Sequence, residues 1–196
     1  MEAAPEGLTL YWDPISQPAR AVKTLLLAGN VPHKEVIISI FKGETKSEEY
    51  KAVNPKGQVP FIRDGEFGLA ESNAILKYIA ETNPSVPEHY WPKDPKQRAL
   101  TDQYLEYYQF HFRPALLAPV REILGKVFHK VETPQDAHDF NAGQVTTTLQ
   151  TFEKIINKHE GDFVVNNEPT IADLQLYFEL LDLRLQGITL EAYPGI

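Results

Sequence analysis

The sequence predicts two domains in tandem, a small α/β domain with a mixed sheet followed by an all-helical bundle. Three observations carry this. Through residue 82, short apolar runs of strand character alternate with stretches of helical spacing. Next comes Asn83-Pro84-Ser85-Val86-Pro87-Glu88-His89-Tyr90-Trp91-Pro92, with three prolines in ten residues, a linker by composition. Beyond it lie three capped helix starts and no convincing strand. A chain of 196 residues accommodates two small domains, and the boundaries fall at 8–82, 83–93 and 94–196.

Residues 1–7 read as a loose leader. Leu8-Thr9-Leu10-Tyr11-Trp12 reads as the first strand. After the loop Asp13-Pro14-Ile15-Ser16-Gln17-Pro18, whose last proline suits a first helical turn, Val22, Leu25 and Leu26 mark a helix over 19–28, stopped by Gly29-Asn30. Residues 35–40, with Val36, Ile37, Ile38 and Ile40, predict a strand buried on both faces. Residues 42–54 are polar, with a short helix within 47–52. In Val59-Pro60-Phe61-Ile62-Arg63-Asp64-Gly65 the proline is wrong for a central strand and fits a strand start. Asp64-Gly65 signals a hairpin returning through Phe67 and Leu69. Ser72 is then the predicted N-cap of a helix over 73–81. A parallel pair joined by a crossover, plus an antiparallel hairpin, makes the sheet mixed.

In the second half, Asp94-Pro95-Lys96-Gln97 supplies an N-cap, a proline at the first helical position and Gln at N3. The helix runs through Tyr104, Leu105, Tyr108 and Phe112, and Pro114 and Pro119 predict a break or kink. Thr133-Pro134-Gln135-Asp136 repeats the capping pattern before a stripe of Leu149, Phe152, Ile155 and Ile156 that ends near His159. Thr170-Ile171-Ala172-Asp173 opens a last, strongly apolar helix with Leu174, Tyr177, Leu181 and Leu185, expected to be the buried one. Tyr193-Pro194-Gly195-Ile196 reads as a turn leading onward, so the helical domain is expected to be truncated at its C-terminus.

Composition narrows the chemistry. The net charge of -8 argues against non-specific binding to nucleic acid or anionic membrane. The chain has no cysteine, which excludes disulfides, thiolate-ligated metals, a CxxC redox centre and a cysteine nucleophile. No run reaches membrane-spanning length and the acidic leader lacks a secretory pattern, so cytoplasm is the expected compartment. The histidines show no metal-ligand spacing, and no glycine-rich phosphate loop is present.

Five places could hold a small charged ligand. Ser16 precedes a helix N-terminus, where a hydroxyl and free N–H groups favour negative charge; a lone serine in a loop is more often an ordinary turn residue. Ser72 at a helix start suits a carboxylate and Glu71 beside it an ammonium, or the two are simply a strand end and a cap. Val59-Pro60 would expose the Val59 backbone to an extended ligand if the bond were cis, an isomer that sequence alone leaves open. Lys46, next to Thr45, can reach a carboxylate. Arg113, on a helix rich in aromatics, serves either a ligand or a stacking role.

Together these segments resemble the cytosolic glutathione transferases. Ser16-Gln17-Pro18-Ala19-Arg20 is similar to the theta-class motif carrying the catalytic serine. Lys42-Gly43-Glu44-Thr45-Lys46-Ser47-Glu48-Glu49-Tyr50, Asn54-Pro55-Lys56-Gly57-Gln58-Val59-Pro60, Glu71-Ser72-Asn73-Ala74-Ile75 and Pro169-Thr170-Ile171-Ala172-Asp173 follow in the family's order. The resemblance implies a thioredoxin-like first domain with a cis-proline at Pro60 and an all-α second domain carrying the electrophile site. It implies an enzyme in which Ser16 stabilises the thiolate of glutathione and Arg113 faces the electrophile. Thr45, Lys46, Gln58, Val59, Pro60, Glu71 and Ser72 would hold glutathione, which acts as co-substrate with no other cofactor and no metal. A small hydrophobic electrophile, with hydroperoxide reduction at the same site, and a homodimer are the implied partners. Thr45 stands where relatives often have His, and Phe110 where some theta enzymes have an Asp that reaches the neighbouring subunit. Those departures favour the alternative, a non-catalytic binding or scaffolding module of the same fold.

Overall fold

Short strands at the start of the chain and long capped helices after it produce two compact units, divided between Lys93 and Asp94. The computed structural model describes residues 7–158 and 161–196. The expected leader therefore falls outside the described residues except for Gly7, as does His159.

The first unit contains β1 (Leu8–Trp12), α1 (Gln17–Ala28), β2 (His33–Ile37), α2 (Glu48–Val53), β3 (Phe61–Asp64), β4 (Phe67–Ala70) and α3 (Ser72–Thr82). The sheet order is β2-β1-β3-β4, with β1 parallel to β2 and antiparallel to β3, and β3 antiparallel to β4. This is the mixed sheet of a thioredoxin-like domain, and the Val59–Pro60 peptide is cis. Leu10, Ile62, Val22, Leu25, Leu26, Ile75, Leu76 and Ile79 are fully buried between sheet and helices. Gly65, at φ 56°, turns the hairpin after Asp64. Residues 83–93, read as a linker, belong to this unit. Val86 and Trp91 are buried, and the Trp91 Nε1 donates to Glu81 Oε1 at 2.9 Å.

Two expectations for this unit need correction. The strand predicted at 35–40 lies at 33–37, and it is an exposed edge rather than a doubly buried strand: Ile37 is 60% exposed. Among the described residues it pairs with β1 alone, at the edge of the sheet, and Val36 as well as Ile37 is left exposed. At α3, Glu71 rather than Ser72 holds the N-cap position, because the Glu71 carbonyl accepts the first helical bond from the Ile75 N–H at 2.9 Å.

The second unit is all helical among its described residues: α4 (Pro95–Tyr107), α5 (Arg113–Leu124), α6 (Gln135–Ile156) and α7 (Ile171–Asp182). Asp94 caps α4 as expected, accepting the N–H groups of Lys96 at 3.1 Å and Gln97 at 2.9 Å. The break expected near Pro114 takes the form of a π-helical turn at Tyr108–Phe112, and α5 continues through Pro119. Thr133 does not cap α6. Pro134 takes the N-cap position and offers its carbonyl to the His138 N–H at 3.0 Å, so the helix starts one residue too late for the predicted box. Thr170 and Asp173 form the full reciprocal box on α7.

The buried face of α7 is not the one its apolar stripe suggested. Ile171, Ala172, Gln175, Leu176, Glu179 and Asp182 point inward, whereas Tyr177 is 57% exposed and Leu174 and Leu181 are half-buried. The side chain of Leu185 lies outside the described part. Burial of Glu179 is compensated by Arg113 and Tyr108, as described below. No helix among the described residues is long and apolar enough to cross a membrane.

Candidate functional site

Sheet register gathers the predicted ligand residues of the first unit at one end. Tyr11 pairs with Phe61, Phe61 with Ala70, and Trp12 with Ile37. The C-terminal ends of β1, β2 and β4 and the N-terminal end of β3 are therefore neighbours. From that end emerge the loop to Ser16, residues 38–46, the turn ending at Pro60, and Glu71-Ser72.

Ser16 is the N-cap of α1, buried at 7% exposure, and its hydroxyl makes no cap bond. Its backbone is fully used: its N–H donates to the Asp13 carbonyl and its carbonyl accepts from the Arg20 N–H, each at 3.0 Å. Asp13, also buried, ties this loop to the next one, accepting the Ile15 N–H at 3.0 Å on Oδ1 and the Ile40 N–H at 2.7 Å on Oδ2. The loop is thus rigid while the hydroxyl stays uncommitted, beside a helix N-terminus whose dipole favours an anion.

Thr45 and Lys46 sit in a single 3-10 turn; Thr45 is buried and Lys46 exposed. Facing Thr45 is Gly57, at φ 58°. A Cβ there would come within 2.5 Å of the Thr45 carbonyl oxygen, so only glycine lets these two segments close up. The next residue, Gln58, is exposed, but its carbonyl accepts from the Tyr50 hydroxyl at 2.7 Å and Asn54 Nδ2 at 2.8 Å. Burial pushes the Tyr50 phenol up to about 12, keeping it a donor. Val59 is half-buried and Pro60 buried.

Glu71 has φ 68° and ψ 110°, well away from the conformations that a residue with a Cβ ordinarily adopts. Such outliers cluster at ligand sites. Its carboxylate is exposed and ion-paired with Lys56. Ser72 is half-buried in the first turn of α3.

Residues 10–89 match the glutathione S-transferase N-terminal domain and residues 118–196 the glutathione S-transferase C-terminal domain. Glutathione S-transferase T1 of Arabidopsis thaliana is 35% identical over 180 residues, which cover 91% of this chain and 73% of that protein. The chain belongs to the glutathione transferase family and is theta-like. Apo human glutathione-S-transferase T1-1 superimposes at TM-score 0.89 and 30% identity, over 96% of this chain and 79% of that one. A human theta-class glutathione transferase in complex with the glutathione conjugate of 1-menaphthyl sulfate also gives 0.89 and 30%, over 96% and 77%.

Arg113 belongs to the second unit of this glutathione transferase family member. Its guanidinium is ion-paired with Glu179, whose side chain is 1% exposed, and lies 3.4 Å from the Tyr108 hydroxyl. Tyr108 in turn donates to Glu179 Oε1 at 3.0 Å, and burial pushes its phenol up to about 12. The π-helical turn explains how residues five apart share a partner: at about 100° per residue an α-helix would turn them apart, and the wider turn returns them to one face.

Asp13, Tyr50, Asn54, Gly57 and Glu179 escaped the reading of the sequence as contributors. Asn54 and Gly57 carried a turn signal. A glutamate in the middle of an apolar helix was the available signal for Glu179.

Proposed function

We propose that this chain is a glutathione transferase whose Ser16 hydroxyl lowers the pKa of the glutathione thiol, so that the thiolate attacks small hydrophobic electrophiles. The observation that carries the reading is the Ser16 hydroxyl, carried by a buried residue at the start of α1 and uncommitted to any cap bond. A free thiol has a pKa of about 8.5 and is mostly protonated at neutral pH. A hydrogen bond donated to the charged form, with a helix N-terminus beside it, favours the thiolate. Sulfur then bonds to the electrophilic carbon as the leaving group departs with its electron pair. With a hydroperoxide, sulfur attacks the peroxide oxygen instead; the O–O bond breaks, and the alkoxide leaves and takes up a proton as the alcohol. A second glutathione thiol then displaces water from the resulting glutathione sulfenic acid to give the disulfide.

In this reading Glu71 receives the γ-glutamyl ammonium and Ser72 its carboxylate. The backbone of Val59, between Gln58 and Pro60, pairs with the cysteinyl part, and Thr45 and Lys46 face the glycine carboxylate. The unusual backbone of Glu71 and the shared loop end of the sheet support this arrangement. Arg113 assists the leaving group, and a homodimer in the cytoplasm is the expected form. The theta-class relative crystallised with a glutathione conjugate supports the substrate class. Replacing Ser16 with alanine (S16A) should cut conjugation with a panel of alkyl halides, aryl halides and hydroperoxides while calorimetry shows glutathione binding retained. Unchanged turnover would remove Ser16 from its role, and light scattering that reports a strict monomer would remove the dimer.

One observation favours the non-catalytic alternative: the Arg113 charge is already balanced by buried Glu179. Absence of glutathione binding at millimolar ligand would decide for that alternative.

A further inference from the structure

Lys56 has no part in the glutathione reading, yet its ammonium is ion-paired with Glu71, the carboxylate to which that reading assigns the ammonium of the ligand. The backbone on both sides of this pair is held. Asn54, 2% exposed, accepts the Lys56 N–H on Oδ1 at 3.2 Å and the Gly57 N–H on its carbonyl at 2.8 Å, and its amide donates to the Gln58 carbonyl. Gly57 is locked against Thr45. Across from this turn, Glu71 is fixed at its positive φ by its place at the head of α3. What lies between the two backbones is the flexible stem of Lys56. Its side chain is 59% exposed and that of Glu71 55%, so the pair is solvent-screened and weak enough for another cation to displace.

We propose that Lys56 is a specificity-determining residue, a resident cation that competes for Glu71 and lowers the selectivity of the site for ligands bearing an α-ammonium. This rests on Glu71 as the ammonium acceptor. When glutathione binds, its ammonium takes Glu71 and the Lys56 pair is lost. When a ligand without that amine binds, the pair survives. Lys56 therefore costs affinity only for the aminated ligand.

The test is calorimetric titration of wild type, Lys56→Met (K56M) and Lys56→Arg (K56R) with glutathione and with its deamino analogue, glutaryl-cysteinylglycine. Methionine keeps much of the stem and removes the charge. K56M should tighten glutathione by about two- to fivefold, the worth of an exposed ion pair, and leave the analogue unchanged. K56R should match wild type in both titrations. Weaker glutathione binding by K56M would show that Lys56 helps the ligand, and an unaltered ratio of the two affinities would show that the pair has no bearing; either overturns the proposal. If wild type binds neither compound, the glutathione reading itself falls and this inference with it. A change confined to the amine contrast is predicted by the competition alone.

Discussion

Two helices begin on a buried hydroxyl residue and use it in opposite ways. Ser16 at the head of α1 and Thr170 at the head of α7 are both extended N-cap residues, 7% and 0% exposed. Thr170 is fully engaged: its hydroxyl accepts the Ala172 N–H at 3.3 Å and donates to Asp173 Oδ2 at 2.7 Å, and Asp173 accepts the Thr170 N–H at 2.7 Å and the Val164 N–H at 3.0 Å. Ser16 makes none of these bonds. The same local chemistry therefore serves stability in one unit and is left open in the other. An N-cap that declines its own helix while its loop is braced by Asp13 is a better pointer to a ligand than a serine in a turn.

The sharpest test separates the two hydroxyls. S16A should leave the urea midpoint nearly unchanged, because no cap bond is lost, while conjugation falls by about 100- to 1000-fold, the usual effect of removing one donor from a developing anion. Thr170→Ala (T170A) should do the reverse. Losing a cap costs about 1 to 2 kcal/mol, seen as a lower urea midpoint, and the turnover of the folded fraction should hold. If T170A spares stability, or S16A costs as much stability as T170A, the contrast between the two caps is wrong.

A smaller effect concerns the turn that carries the proposed ligand backbone. Gly57→Ala (G57A) must place a Cβ 2.5 Å from the Thr45 carbonyl at φ 58°. The positive φ alone costs about 1 kcal/mol, and relief of the contact must move Thr45 or Gln58. A fall in glutathione affinity larger than the fall in stability is expected, read by calorimetry alongside urea denaturation. Equal losses would mean that the turn serves the fold and not the ligand.

Sequence reading succeeded mainly where the determinants are local, although the local caps expected at Thr133 and Ser72 were each displaced by one residue, and it failed where they are not. Pro60 at a strand start, Asp64-Gly65 in the hairpin, Asp94 and Thr170 as caps, and Ser16 before a helix are each fixed by a few neighbouring residues. Whether the run from Val36 to Ile40 is buried depends instead on strand order, and the sheet leaves β2 at its edge. The inward face of α7 depends on Arg113, 66 residues away in the chain, which makes a buried glutamate tolerable. Glu71 as N-cap was hidden because nothing local marks a glutamate for positive φ. At the site, the residues that touch a ligand in the proposed reading were visible as motifs, whereas the braces around them, Asp13, Tyr50 and Asn54, became visible only through their hydrogen bonds.

Tyr50 gives the smallest effect and extends the contrast to a third hydroxyl, one spent on the fold at the ligand end itself. Its donation to the Gln58 carbonyl should be worth about 1 kcal/mol, which Tyr50→Phe (Y50F) would remove from the stability at neutral pH. Burial raises its pKa from 10.0 to about 12, so the folded chain holds that proton more tightly than the unfolded chain. The contribution is complete below pH 10 and is lost as pH rises through about 12. Tyr104 and Tyr108, also raised to about 12 by burial, act in the same direction. Stability should therefore fall steeply above pH 10 in wild type, and less steeply in Y50F by up to the share of one phenol, when urea midpoints are followed from pH 8 upward. If the hydroxyl serves only to hold Gln58 in place, glutathione affinity should drop in Y50F along with stability and should not change with the identity of the electrophile. An electrophile-dependent change in Y50F would place Tyr50 with Ser16, among the groups left to the ligand, and the division between the two kinds of hydroxyl would have to be redrawn.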